Sequence, residues 1–302
     1  MVDVLVAGAI NTDLVARVTN APEAGETVTG SSFDVFGGGK GANQTLAAAR
    51  SGAVTAILGA VGEDDFGQQR LVDLRADGVN VSGVLLRSDT PSGVALITVE
   101  EATGQNRIAY VPGATLTITP AESAAACESL QPKIFLTTLE LPPDSIRAAI
   151  AACQSAGGTV IMNATPEPLG ARDFLGQIDI LIVNEPEASA LAGGSVEDAD
   201  WFAVAQQLRT KGPSSVIVTL GDQGAVASLE GVRVEVPVPT VTVVDTTGAG
   251  DAVCGSFAAA LAAGDSPEQA LRYGVTAGSL ACTVAGAQRS QPRRAEIEAI
   301  LD

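Results

Sequence analysis

The chain has 302 residues, with 17 Lys plus Arg against 35 Asp plus Glu, no His and a formal charge of −18. Without histidine there is no Ser-His-Asp or Cys-His nucleophilic centre, no phosphohistidine relay and no His-rich zinc site, so any general base is Asp, Glu, Lys, Tyr or Cys. The acidic excess and the 3% aromatic content argue against nucleic acid or an anionic membrane as partner, since those need clustered Lys and Arg or stacking aromatics.

An apolar fraction of 46% with 17% charged residues supports a large packed core. Residues 1–302 show no repeat period, no low-complexity tail and no Pro/Ser-rich linker, so a single domain is expected. Cys127, Cys153, Cys254 and Cys282 are far apart and sit among Ala, Val and Leu, as reduced buried thiols do. Asp3 comes early with no basic start, and no stretch approaches the roughly 20 apolar residues that span a bilayer. A cytoplasmic protein is expected.

In chain order, the first strand is Val2 to Ala7, ending in Gly8-Ala9-Ile10-Asn11-Thr12-Asp13. Open α/β sheets bind ligands at that carboxyl edge. Asn11 and Asp13, two apart on an extended chain, point the same way and suit the vicinal hydroxyls of a sugar; a turn-forming Asn and Asp is the plainer reading of the pair alone. Thr12 to Phe36, with Pro22 and Gly25, then reads as hairpin material outside the core. Next comes Gly37-Gly38-Gly39-Lys40-Gly41-Ala42-Asn43, running into a helix Gln44 to Arg50. It contains G-x-G-x-x-A but follows no core strand, so it is no dinucleotide fingerprint, and Gly41 after Lys40 rules out a P-loop. Bare glycines with Lys40 and Asn43 suit close backbone approach to a polyhydroxylated ligand; a flexible glycine turn leaves Lys and Asn at fixed offsets without a purpose.

A strand Val54 to Val61 follows, then a second excursion, Ser92 to Pro112, whose strands Val94 to Glu100 and Arg107 to Val111 flank Thr103-Gly104. The two excursions (12–36 and 92–112) are expected to pair as a small sheet, either a lid over the site or an oligomer contact. Lys133 to Thr138 is the next core strand, with Glu140 just beyond it as a third candidate sugar contact. The helix Pro143 to Gly157 leads to strands Thr159 to Asn163 and Ile180 to Val183. After the latter, Asn184-Glu185-Pro186-Glu187 fits water-mediated Mg²⁺ and phosphate handling, or merely a helix cap. A helix Glu197 to Gly212 and a strand Val216 to Leu220 precede Gly221-Asp222-Gln223-Gly224, a glycine turn suited to nucleotide phosphate or ribose. Near-continuous apolar strands separated by helices indicate a doubly wound, mostly parallel α/β sheet covered on both faces.

The most informative stretch is Asp245-Thr246-Thr247-Gly248-Ala249-Gly250-Asp251 before an apolar helix from about Ala252 to Ala263. Small residues ahead of a helix let backbone amides converge on an anion, and the helix dipole adds positive potential. A carboxylate beside a phosphate is repelled unless it acts, and taking the proton of an attacking hydroxyl is the natural task for Asp251. An ordinary N-terminal acid favoured by the dipole fits the residue equally well when taken alone.

Over nearly the whole chain, and in order, these features resemble the ribokinase-like family of sugar and nucleoside kinases. The resemblance rests on Asn11-x-Asp13, Pro22-x-x-Gly25-Glu26-Thr27, Gly38-Gly39-Lys40-Gly41-Ala42-Asn43-Gln44, Asn184-Glu185-x-Glu187, Thr219-Leu220-Gly221 and Asp245-Thr246-x-Gly248-Ala249-Gly250-Asp251. The Gly-Lys-Gly-Ala-Asn-Gln form is nearer the ribokinase branch than the fructokinase, ketodeoxygluconate kinase or adenosine kinase branches. It implies an ATP-dependent phosphotransferase acting on the 5-hydroxyl of D-ribose, with another pentose, a deoxyribose or a nucleoside as the alternative and a non-catalytic sensor as the rival class. By resemblance Asp251 is the base, and the amides of Gly248, Ala249 and Gly250 hold the developing charge. Asn11, Asp13, Gly38, Gly39, Lys40, Asn43, Glu140 and Asp251 hold the sugar. Asn184, Glu187, Thr219, Leu220, Gly221, Asp222, Gly224 and Gly250 lie along ATP and its Mg²⁺, which Glu187 meets through water. Asp245, Thr247, Ala281, Val284, Gly286 and Ser290 match a monovalent-cation site for K⁺. The exposed edges of the lid strands suggest a homodimer, with a monomer whose edge is self-covered as the alternative. Two positions depart from the pattern: Gly113-Ala114-Thr115 stands where Gly-Ala-Asn is usual, and no histidine lies in Leu271 to Ala281.

Overall fold

In the computed structural model, which describes residues 1–194 and 200–301, consecutive residues of the core strands bury into opposite layers. In β1 (Val2–Ala7), Val4 and Val6 pack on one side of the sheet, Leu5 and Ala7 on the other. The same alternation holds in β8 (Pro132–Thr137), where Ile134 and Leu136 oppose Phe135, and in β10 (Ile180–Asn184), where Ile180 and Ile182 oppose Leu181 and Val183. Two buried faces remove the polar half of the period-2 pattern, which is why the strands read as unbroken apolar runs.

With β4 (Thr55–Gly62), β5 (Val84–Arg87), β9 (Thr159–Asn163), β11 (Ser215–Thr219), β12 (Ala225–Leu229) and β13 (Val232–Val236), these strands form one sheet in the order β13-β12-β11-β10-β9-β8-β1-β4-β5. The run from β11 to β5 is parallel, and β12 and β13 are an antiparallel extension. One face carries α3 (Pro120–Leu130), α4 (Pro143–Ser155), α5 (Glu185–Ala192) and α6 (Trp201–Arg209); the other carries α1 (Lys40–Arg50), α7 (Ala249–Ala263) and α8 (Pro267–Ala281). α2 (Asp65–Ala76) closes the β4 end, and α9 (Arg294–Leu301) packs on α8. Helix α6 begins at Trp201, capped by Asp200; the expected start at Glu197 lies outside the described residues.

The two excursions do form a separate sheet. β2 (Asn11–Val18), β3 (Gly30–Gly38), β6 (Gly93–Glu100) and β7 (Asn106–Val111) pair in the order β3-β2-β6-β7. β2 leaves the core sheet directly from the carboxyl end of β1, so this small sheet stands over that edge. At the base of β6, Asp64 accepts hydrogen bonds from the amide and hydroxyl of Ser92 at 2.8 and 2.6 Å, which ties the lid to the N-terminus of α2.

Candidate active site

Two helix N-termini lie side by side at the carboxyl edge, and different things occupy them. Helix α1 starts at Lys40, four residues earlier than the sequence pattern predicts, because Gly39 adopts φ +90° and lets the chain turn against Ala9. A Cβ on Gly41 would fall 2.4 Å from the Gly8 carbonyl carbon, so the first turn of α1 rests backbone to backbone on the end of β1. Glu140 fills this helix end: its carboxylate accepts from the amides of Lys40 (3.2 Å), Gly41 (3.1 Å) and Ala9 (2.8 Å) and from the Thr138 hydroxyl (3.0 Å). Burial pushes the Glu140 carboxyl up, opposed by those donors. Three of the four bonds go to Oε2, so Oε1 keeps a lone pair.

Helix α7 starts beside it. Gly248 takes φ +81°, with the Ala287 carbonyl 2.8 Å from where a Cβ would be, and Ala249 and Gly250 begin the helix. The leading amides of a helix have no intrahelical acceptors. That of Ala249 turns back on the Thr246 carbonyl at 3.2 Å, whereas those of Gly248 and Gly250 meet no backbone acceptor among the described residues. Nothing lies within 4 Å of a Cβ on Gly250, so this helix end is open where that of α1 is closed.

Asp251 sits in the first turn of α7, 8% exposed. Its Oδ2 accepts from Asn43 Nδ2 at 2.9 Å and its Oδ1 from Gln44 Nε2 at 3.0 Å; Gln44 Nε2 also meets Asn163 Oδ1 at 3.0 Å. Gly255 permits this, since its missing Cβ would lie 2.2 Å from the Gln44 carbonyl oxygen, and the α1 and α7 backbones come together there. Burial raises the Asp251 pKa, while the Lys40 charge and the bonds from Asn43 and Gln44 pull it down. The result is a fixed carboxylate of increased basicity with a lone pair left on each oxygen. Gln44 and Asn163 received no role from the sequence; an Asn at the carboxyl end of an apolar strand was the available signal for the second.

Lys40 reaches over a cleft of about 140 Å³ shared with Asn184, Glu187, Thr219, Gly250 and Asp251. The Asn184–Glu187 pair is a helix cap in fact: Asn184 Oδ1 accepts from the Glu187 amide at 2.8 Å and Glu187 Oε2 from the Asn184 amide at 2.9 Å. Burial raises the Glu187 carboxyl. The cap consumes one Glu187 oxygen; Thr165 stands beside the carboxylate, and Asn184, Glu187 and Thr165 line the cleft together. Thr219 continues into a larger, mostly apolar pocket of about 370 Å³, walled by Val238, Val243, Val275, Gly278 and Cys282 and edged by Gly221, Asp222 and Gly224. Leu220 is not brought there; its side chain packs against the core layer. No sequence motif marked this apolar wall.

On the lid side, Asn11 is buried, and Asp13 lies over Gly38, where a Cβ would come within 2.3 to 2.5 Å of the carboxylate. Gly38 therefore serves Asp13 by being small. Asp13 pairs in register with Phe36 and Ala95, and Ala95 with Tyr110, so the four share one rung of the lid. Burial carries the Asp13 carboxyl up to about 6, against the pull of Arg70. Tyr110 stands on this rung opposite Ala95, near Asn11 and Thr115, whose Oδ1 and Oγ1 are buried without a partner among the described residues. Burial raises the Tyr110 pKa, as do the charges of Glu140 and Asp13.

The cation candidates come together as two segments. Asp245 Oδ2 accepts from the Gly286 amide at 2.9 Å and Oδ1 from the Thr247 amide and hydroxyl at 2.9 and 2.7 Å, bonds that outweigh burial and hold the carboxyl low. Ser290 donates to Ala287 at 3.1 Å, keeping its lone pairs; Ala281 is buried in α8 and Val284 is exposed. Among the described residues no three Asp, Glu, Cys or His side chains form a metal cluster.

Comparison with known proteins identifies the family. Residues 1–294 match the pfkB family carbohydrate kinase profile. The chain is 36% identical to Bacillus subtilis ribokinase over 302 residues, covering 100% of both, and 33% identical to Salmonella typhi deoxyribokinase over 294 residues, covering 96% and 95%. A solved structure of Arabidopsis thaliana ribokinase complexed with ribose and ATP superposes with a TM-score of 0.92 at 29% identity, covering 99% of this chain and 98% of that one. The chain belongs to the pfkB family of carbohydrate kinases.

Proposed function

We propose that the protein transfers the γ-phosphoryl group of ATP to the 5-hydroxyl of D-ribose, with Asp251 as the base. One observation carries this reading: a buried carboxylate, held by Asn43 and Gln44, stands between the open N-terminus of α7 and the hydrogen-bonding cluster under the lid. The hydroxyl gives its proton to Asp251, its oxygen bonds the γ-phosphorus, and the bond to the β-phosphate oxygen breaks with ADP as leaving group. The Gly248 and Gly250 amides and Lys40 face the charge that develops on the transferring group. Asn11 and Asp13 accept or share the ring hydroxyls, and the apolar pocket takes the base of the nucleotide.

Glu187, beside Asn184, would hold Mg²⁺ through water, and the ion would neutralise charge on the transferring group. K⁺ fits the Asp245–Ser290 ring, whose donors are carboxylate, hydroxyl and backbone carbonyl oxygens. A homodimer through the lid is supported by Phe33, Val35, Leu96 and Val111, apolar and exposed on one lid sheet. Reduced thiols support a cytoplasmic location. No helix among the described residues is long and apolar enough to cross a membrane.

The test is Mg-ATP with a panel of ribose, 2-deoxyribose, arabinose, fructose and adenosine. Ribose should give the highest kcat/KM, and a tenfold preference for another acceptor, about 1.4 kcal/mol of transition-state energy, overturns the substrate assignment. Asp251→Asn should lose about 10²–10⁴ in kcat while retaining ribose binding.

A further inference from the structure

Beside the lid strand β3 lies a further cleft, of about 470 Å³, walled also by α1, α2 and the segment 286–289. It shares no lining residue with the cleft of Lys40 and Asp251 or with the apolar pocket beyond Thr219. Three guanidiniums, Arg50, Arg70 and Arg289, face two carboxylates there, Asp73 and Asp77. Both carboxylates are already engaged. Asp77 accepts from Arg50 Nε at 3.0 Å, from Arg50 Nη2 at 2.7 Å and, from outside the cleft, from Arg293 Nη2 at 3.3 Å; Asp73 accepts from Arg70 Nη2 and Gln69 Nε2, each at 2.8 Å. Arg50 is saturated too, since its Nη1 donates to the Gln288 and Gln291 carbonyls at 2.6 and 3.0 Å. The other two arginines are not. Arg289 is exposed, lies over the Phe36 ring at 4.8 Å and pairs with no carboxylate among the described residues. Arg70 is 6% exposed, and its Nε and Nη1 meet no acceptor among the described residues. In a chain of formal charge −18, a concave wall of net positive charge with two arginines short of acceptors suits an anion.

We propose that this cleft binds a phosphorylated sugar at a site separate from catalysis. A guanidinium fork donates two parallel hydrogen bonds to phosphate oxygens, and a phosphate monoester offers three oxygens, enough for Arg70 and Arg289 together. Bare phosphate would leave most of the cleft empty, whereas the amide groups of Gln69 and Gln288, which also line it, suit hydroxyls. The segment that carries Arg289 gives the Gly286 amide to Asp245 at 2.9 Å, and Gln288 Nε2 meets the Gly38 carbonyl of β3 at 3.4 Å. A ligand held between Arg289 and Arg70 therefore ties this segment, and through Gln288 the lid, to α2, so ribose should bind more tightly when the cleft is filled. That kinetic consequence rests on the ribose reading above; the binding itself does not.

The test is calorimetric titration of the full chain with glucose 6-phosphate, inorganic phosphate and citrate, using the parent, Arg289→Ala, Arg70→Met and Lys40→Met. Glucose 6-phosphate should bind the parent and Lys40→Met alike, and Arg289→Ala about tenfold or more weakly; Arg289 is exposed, so the fold is not at stake in that variant. Arg70→Met should act in the same direction. Inorganic phosphate and citrate should each bind about tenfold more weakly than glucose 6-phosphate, and equal affinity for either overturns the sugar-phosphate class. No binding by the parent, or equal binding by the parent and Arg289→Ala, overturns the site. Loss in Lys40→Met alone puts the ligand in the active site and does the same. In the kinase assay, glucose 6-phosphate should lower the ribose KM of the parent about fivefold and leave that of Arg289→Ala unchanged; a KM that rises shows competition at the sugar site and counts against the proposal. Binding that depends on Arg289 in a protein that does not phosphorylate ribose would sink the ribose reading alone.

Discussion

Gln44 offers the sharpest probe of how Asp251 is prepared. Gln44→Met keeps the length and volume of the side chain but deletes the Nε2 group that bonds Asp251 Oδ1 and Asn163 Oδ1, each at 3.0 Å. A hydrogen bond to a carboxylate contributes about 1.5–3 kcal/mol, which at 1.36 kcal/mol per unit is a rise of about one to two units in the Asp251 pKa. The sign is fixed by the chemistry: Gln44 favours the ionised form, so its loss adds to the rise that burial already causes. The base works deprotonated, so kcat falls with decreasing pH, and in Gln44→Met that acid limb should lie one to two pH units higher. Loss of orientation should lower the alkaline plateau as well, by about tenfold. The measurement is kcat from pH 5.5 to 9 at saturating ribose and Mg-ATP, alongside a melting curve. Asn163 loses its donor, so the melting temperature should drop by several degrees at about 1–3 kcal/mol. An unchanged acid limb with an unchanged plateau would refute the view that Gln44 tunes the base.

Two further outcomes follow from the geometry. Gly41→Ala places a Cβ 2.4 Å from the Gly8 backbone, so α1 must move off β1 and loosen Glu140; a loss of about 1–3 kcal/mol in thermal stability with a raised ribose KM is expected, and a wild-type KM would show that the helix can shift without disturbing the site. Tyr110→Phe removes the hydroxyl from the rung that carries Asp13 and Ala95; ribose KM should rise about fivefold, the equivalent of about 1 kcal/mol, with kcat unchanged, and an unchanged KM would show that this hydroxyl does not meet the sugar.

The core strands were legible because each is buried on two sides and because glycine, proline or acidic caps punctuate the chain between them. The lid excursions were legible for the opposite reason, as polar, turn-rich segments that break the alternation. Strand β5 escaped notice since Val84–Arg87 is four half-exposed residues, too short for a period. The β12–β13 hairpin turns on Glu230 and Gly231, both at positive φ, and this acid-glycine pair between two short strands is its only local signature in the sequence. Within the site, the glycine-rich motifs announced Asp251, Lys40 and Asn43, since their offsets are local. Asn163 is out of reach because Gln44, which it meets, is 119 residues away, and Tyr110 because it joins the Asp13 rung only through the pairing of β7 with β6 and β6 with β2.

The continuity of β1 and β2 has a mechanical consequence. A cover hung on a long loop can swing without disturbing what lies beneath it, but here a strand of the cover and a strand of the floor are joined by only Gly8, Ala9 and Ile10. The amide of Ala9, within that joint, is bonded to Glu140 Oε2 at 2.8 Å, and the Ala9 carbonyl receives the Ala42 amide at 3.0 Å. Bending the strand therefore tugs on the clamp that seats the first turn of α1, the same turn that delivers Lys40 and Asn43. The position of the lid and the position of Lys40 and Asn43 are thus coupled through the two backbone bonds of Ala9.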